Sequence, residues 1–181
     1  MTEQQREEAS EDAVPTRIGQ AIMLHRAGDR EEARNRLHAL WHETGPHGDA
    51  FHRCTLAHYL ADTQDDPKDE LDWDLRALEA AEGFLLTRRP EAGEGARDGG
   101  QVADGRGPCH PVIALRAFIP SLHLNLAADY VALDRPADAR AQLLRARVWV
   151  DALTDGAYRR GFSAEIDHLE ARIGDAPGRP S

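Results

Sequence analysis

Apolar side chains recur at three- and four-residue intervals along most of this chain, the period of a helix with one buried face. From Thr16 a first stripe runs through Ile18, Ala21, Ile22 and Leu24. Gly28-Asp29 interrupts it, and Ala33, Leu37, Leu40 and Trp41 form a second stripe that stops at Thr44-Gly45-Pro46. Phe51, Leu56, Ala57 and Leu60 mark a third helix. Asp65-Asp66-Pro67 is its turn, with Pro67 suited to the first turn of the next helix, where a missing N–H costs nothing. Leu71, Leu75, Leu78 and Ala81 are expected on the inner face of that fourth helix, ending near Leu86. The pattern resumes at Val112 through Leu115, Phe118, Leu122, Leu126 and Tyr130, where Pro120 either kinks one helix or starts another. Arg135-Pro136 opens a further helix with Ala139, Leu143, Ala146 and Val150 inward. A last one, about Ala157 to Ile173, carries Phe162, Ile166 and Leu169, with Gly174 as its C-terminal cap. No segment alternates with period two for long enough to be a strand, so the expected fold class is all-α.

Residues 1–14 hold too few apolar groups to offset the entropy of ordering and are expected to be a disordered acidic tail, as are residues 175–181. The helical domain is then 15–174, interrupted by a glycine-rich stretch at 87–110 that reads as a flexible loop.

Composition narrows the function classes. The 32 acidic and 22 basic residues give a formal charge of −10, and Lys68 is the only lysine, so a phosphate backbone is disfavoured as a partner. No run approaches the roughly 20 apolar residues that span a bilayer, and the first residues lack the features of a secretory signal. Neither a membrane nor nucleic acid is expected as partner, and the expected location is the cytoplasm, where Cys54 and Cys109 stay reduced.

The helices also repeat in pairs. Leu126, Ala127 and Tyr130 are followed by Ala139, Leu143 and Ala146. Ala21 and Leu24 precede Gly28-Asp29 and then Ala33, Leu37 and Leu40, and Leu56, Ala57 and Leu60 precede Leu71, Leu75 and Leu78. These spacings resemble the tetratricopeptide repeat, over most of Thr16 to Asp151, although the first two copies lack an aromatic at the place of Tyr130. Through the segments His52 to Asp66 and Pro120 to Asn125, the chain is also similar to small actinobacterial proteins of this repeat class. The resemblance implies about three stacked antiparallel hairpins plus a capping helix, a solenoid whose concave groove binds a protein or peptide. With this net charge, the partner is expected to be basic or neutral, and an uncovered end hairpin would allow a homodimer.

In that register Leu56, Ala57 and Leu60 are core, which puts Cys54, His58 and Asp62 on the groove side at four-residue steps, one above another. Ser121, Leu124 and Asn125 are the groove residues expected on the third copy. His58, Asp62 and Cys54, completed by His123 or His25, are donor types for zinc or another divalent transition metal, which gives an alternative reading as a metal-binding protein or metal-dependent enzyme. No Cys-x-x-Cys or His-Glu-x-x-His motif supports it, and no Gly-x-Ser-x-Gly elbow or dinucleotide fingerprint is present, so binding is expected rather than catalysis and no cofactor is assigned. Asp65, Asp66 and Glu70 are read as helix-capping carboxylates and Cys109-His110 as a surface pair. Trp73 is expected between hairpins, and Asp74 and Arg76 in structural ion pairs.

Overall fold

A computed structural model of the chain describes residues 3–87, 111–153 and 155–174. Among these residues there are seven helices and no strand: α1 (Glu3–Arg26), α2 (Arg30–Thr44), α3 (Ala50–Asp62), α4 (Pro67–Thr87), α5 (Pro111–Ala132), α6 (Pro136–Asp151) and α7 (Gly156–Gly174). The all-α expectation holds. α1 begins at Glu3, ahead of the Thr16 start that its apolar stripe predicts, and α5 is one helix carrying Pro120 within it. The expected loop at 87–110 and the Cys109-His110 pair fall outside the described residues, apart from Thr87 at the end of α4.

Local chemistry sets the helix ends. α2 starts behind Asp29, whose carboxylate accepts from Glu32 N, and α3 behind Asp49, which accepts from His52 N at 2.9 Å. Asp66 accepts from Lys68 N at 2.8 Å beside Pro67, and Asp155 accepts from Ala157 N at 2.7 Å. α1 and α5 end alike. Asp29 N reaches Leu24 O and Arg135 N reaches Tyr130 O, each across a left-handed residue, Gly28 at φ 93° and Asp134 at φ 56°. The α3–α4 turn has no such residue. It is closed instead by Thr63 and Gln64 side chains donating to Leu60 O.

Each helix packs on the next in the chain, and α1 with α3, α3 with α5 and α5 with α7 also touch. The expected inner residues of α6 (Ala139, Leu143, Ala146 and Val150) are all buried. On α4 the inner face is wider than the stripe suggested. Leu75 is 40% exposed, whereas Trp73, Asp74 and Ala77 are buried, because α4 is covered by α3 and α5 while Trp73 also meets Trp41 of α2 edge-on at 5.2 Å. Ion pairs fasten the outside. Arg30 and Arg34 hold Asp65, whose carboxyl they keep below its ordinary pKa, and Arg147 of α6 grips Asp167 and Glu170 of α7.

Candidate functional site

Three helices each bring a pair of polar side chains, four residues apart, to one junction: His58 and Asp62 on α3, Glu70 and Asp74 on α4, Asn125 and Asp129 on α5. A four-residue step puts both members of a pair on one helix face. At the bottom lie Asp74, 1% exposed, and Asp129, 3% exposed. Toward solvent the His58 and Asp62 side chains are 14% and 36% exposed.

His58 is held from several directions. Asn125 Nδ2 lies 3.1 Å from His58 Nδ1, and His58 Nε2 lies 4.0 Å from the Asp62 carboxylate one helical turn away. The same Nδ1 is 3.8 Å from Asp74 Oδ1. Edge-on contacts with Tyr59 at 4.9 Å and Phe118 at 5.0 Å fix the ring plane.

Three of the carboxyl groups, Asp129, Asp74 and Glu70, are raised above their ordinary values. Burial pushes the Asp129 carboxyl up to about 8, helped by the nearby carboxylates of Asp74 and Glu70 and by a hydrogen bond with Asp74. Burial raises Asp74 too, while His58 and Asn125 act in the opposite sense. Glu70 is raised by burial first and then by Asp74 and Asp62. Asp74 Oδ1 and Asp129 Oδ2 are buried without a conventional donor. A proton kept on Asp129 supplies one: the acid donates to the neighbouring carboxylate, which accounts for two carboxyl groups sharing an interior site. Chemically, the junction offers a half-open imidazole and carboxylate above a proton-holding acid pair, a setting that favours a cation over an anion.

Of the residues expected in the groove, the structure brings His58, Asp62 and Asn125 together, and Ser121 is half-buried one helical turn before Asn125 on α5. Leu124 is 3% exposed and Cys54 fully buried, so both sit in the core. Burial, with Asp74 contributing, pushes the Cys54 thiol up to about 12, which removes it as a ready thiolate. His123 turns the other way. It is buried against α6 with Nδ1 2.9 Å from Gln142 Oε1, and burial lowers its pKa. Cys54 and His123 thus stand apart from the half-exposed His58 and Asp62, and among the described residues no group of three or more His, Cys, Asp or Glu side chains is arranged to hold a metal ion. His25 Nδ1 on α1 is buried without a hydrogen-bond partner.

Asp74 and Glu70 depart from their expected roles. Asp74 faces His58, Asn125 and Asp129 at the interior instead of a structural ion pair, while Arg76 lies over the Trp73 ring at 4.3 Å. Glu70 leaves capping to Asp66 and joins the junction. Asp129 was not foreseen at all, although Asn125-x-x-x-Asp129 repeats the four-residue step of His58-x-x-x-Asp62 and Glu70-x-x-x-Asp74. Among the described residues no helix is long and apolar enough to cross a membrane. Compared with models of known protein families, with curated proteins and with solved structures, the chain has no significant match.

Proposed function

We propose that this protein is a binding module that takes up a basic segment of a partner protein across α3 and α5, with His58, Asp62, Ser121 and Asn125 in contact and the Asp74–Asp129 pair beneath. The observation that carries this reading is the convergence of three polar pairs from three helices on one half-open junction rich in carboxylates. Two further facts support it. Alternate helices α1, α3, α5 and α7 touch one another as well as their chain neighbours, the neighbour pattern expected of a tetratricopeptide-like stack with one helix of each pair lining a concave face. The formal charge of −10 favours encounter with cationic chains and disfavours acidic ones.

Recognition of this kind needs no chemistry at the site. A lysine or arginine side chain of the partner would sit against Asp62 and His58, and its charge would make ionisation of the acid pair below less costly. The test is fluorescence anisotropy with short labelled peptides graded in net charge. Lys/Arg-rich peptides should bind, acidic ones should not, and Asp62→Asn and His58→Ala should each weaken binding by about tenfold. Equal binding at every peptide charge, or no effect of either substitution, overturns the reading.

A further inference from the structure

The second feature of the molecule lies away from the acidic junction. Trp41 of α2, Pro46, Gly48 and Ala50 at the start of α3, Arg53 of α3, and Arg76, Glu79, Ala80 and Phe84 of α4 surround an open cleft of about 650 Å³, a size typical of small-molecule sites. Its walls are largely apolar, yet two guanidinium groups are built into them. Arg53 lies over the Trp41 ring at 4.1 Å and donates to Gly45 O; Arg76 lies over the Trp73 ring at 4.3 Å. Trp41 and Trp73 pack edge-on at 5.2 Å, so the two indoles that hold the guanidiniums brace each other.

Neither arginine has a carboxylate within ion-pair distance among the described residues. What sets the two apart is that both are stacked on indole rings and both line one cleft, on a chain with ten more acidic than basic residues. Stacking also fixes each head group in advance, which lowers the entropy lost when it captures an oxyanion.

We infer that this cleft is a binding site for a small apolar monocarboxylate, whose carboxylate is taken by Arg53 and Arg76 and whose body packs on Trp41, Ala80 and Phe84. A guanidinium matches the planar, two-oxygen carboxylate with paired N–H donors. Glu79 decides the charge class. Two arginines and one glutamate leave a lining of about one net positive charge, enough for a monoanion and too little for a polyphosphate. The body should be aromatic or aliphatic, because Trp41, Pro46, Ala50, Ala80 and Phe84 offer little for a polar one.

The probe is indole-3-propionate, with its primary amide as the uncharged control, titrated into the full chain by calorimetry. The acid should bind saturably below about 1 mM, the amide about tenfold more weakly, and Arg76→Gln should cost the acid about tenfold while leaving the amide unchanged. Arg76 is exposed, so its substitution leaves the core intact; Arg53→Gln, which also loses the brace to Gly45, serves as the second variant. Asp62→Asn should have no effect on this ligand, which separates the cleft from the acidic junction. Absence of saturable binding by the acid up to about 10 mM overturns the inference. So does equal affinity for acid and amide, or an acid affinity that neither arginine variant changes.

Discussion

Asp129 is the residue on which the physics of the site turns. It is an acid inside the protein, hydrogen-bonded to Asp74 and pushed up to about 8 mainly by burial. Because this folded value lies above that of an unfolded aspartate, the folded state binds the extra proton between roughly pH 4 and 8. The contribution is therefore whole below about pH 4 and is lost progressively as pH rises from there through about 8. Urea unfolding should show the native protein weaker at pH 8.5 than at pH 6. Asp129→Asn, which keeps a donor toward Asp74 but cannot ionise, should gain about 1–3 kcal/mol of stability relative to wild type between pH 6 and pH 8.5. Identical pH dependence in the two proteins would remove the shared-proton account. The same proton bears on recognition. Binding of a basic peptide should tighten as pH rises from about 6 to 9, as Asp129, pushed up to about 8, gives up its proton.

At the scale of elements, α5 serves two neighbours with two faces. Asn125 and Asp129 look toward α3 and α4, while His123 bonds Gln142 on α6. His123→Ala should therefore cost about 1–3 kcal/mol of stability by leaving Gln142 unpaired, and leave the affinity for basic peptides unchanged, as a paired melting and binding experiment will read. The turns between paired helices give a second check. Gly28 ends α1 at φ 93° with open space around its Cβ position, so Gly28→Ala should cost about 1 kcal/mol through backbone strain alone, read as a lowered urea midpoint.

The elements themselves were legible in the sequence. Gly28-Asp29, Asp65-Asp66-Pro67 and Arg135-Pro136 fall where the structure turns, and the α6 stripe is buried as its spacing predicts. Helical period reports which face is apolar, and this is why it misplaced Leu75 and Cys54. α4 is covered on more than one side, so its buried face exceeds one stripe, and a polarisable thiol packs as a small hydrophobe regardless of its register. The site was half legible. His58 and Asp62 were visible as a pair, but Asp74 and Asp129 stand among core residues, where a carboxylate reads as an interruption of the apolar pattern. Only the tertiary meeting of α3, α4 and α5 shows that these two interruptions face each other beneath His58.

For the whole molecule, charge is divided between two places. Carboxylates gather where α3, α4 and α5 meet, and two stacked arginines line the cleft beside α2 and α4. A cationic partner and a small carboxylate would therefore occupy different parts of the surface, and affinity for the former should fall as salt screens the field. The most direct test of the central claim is a ¹H–¹⁵N NMR titration of the full chain with a Lys/Arg-rich peptide at low salt. Amides flanking His58, Asp62, Ser121 and Asn125 on α3 and α5 should shift together to saturation, with those around Arg53 and Arg76 still. Shifts centred on the Arg53–Arg76 cleft, or no saturable shifts at all, would contradict it.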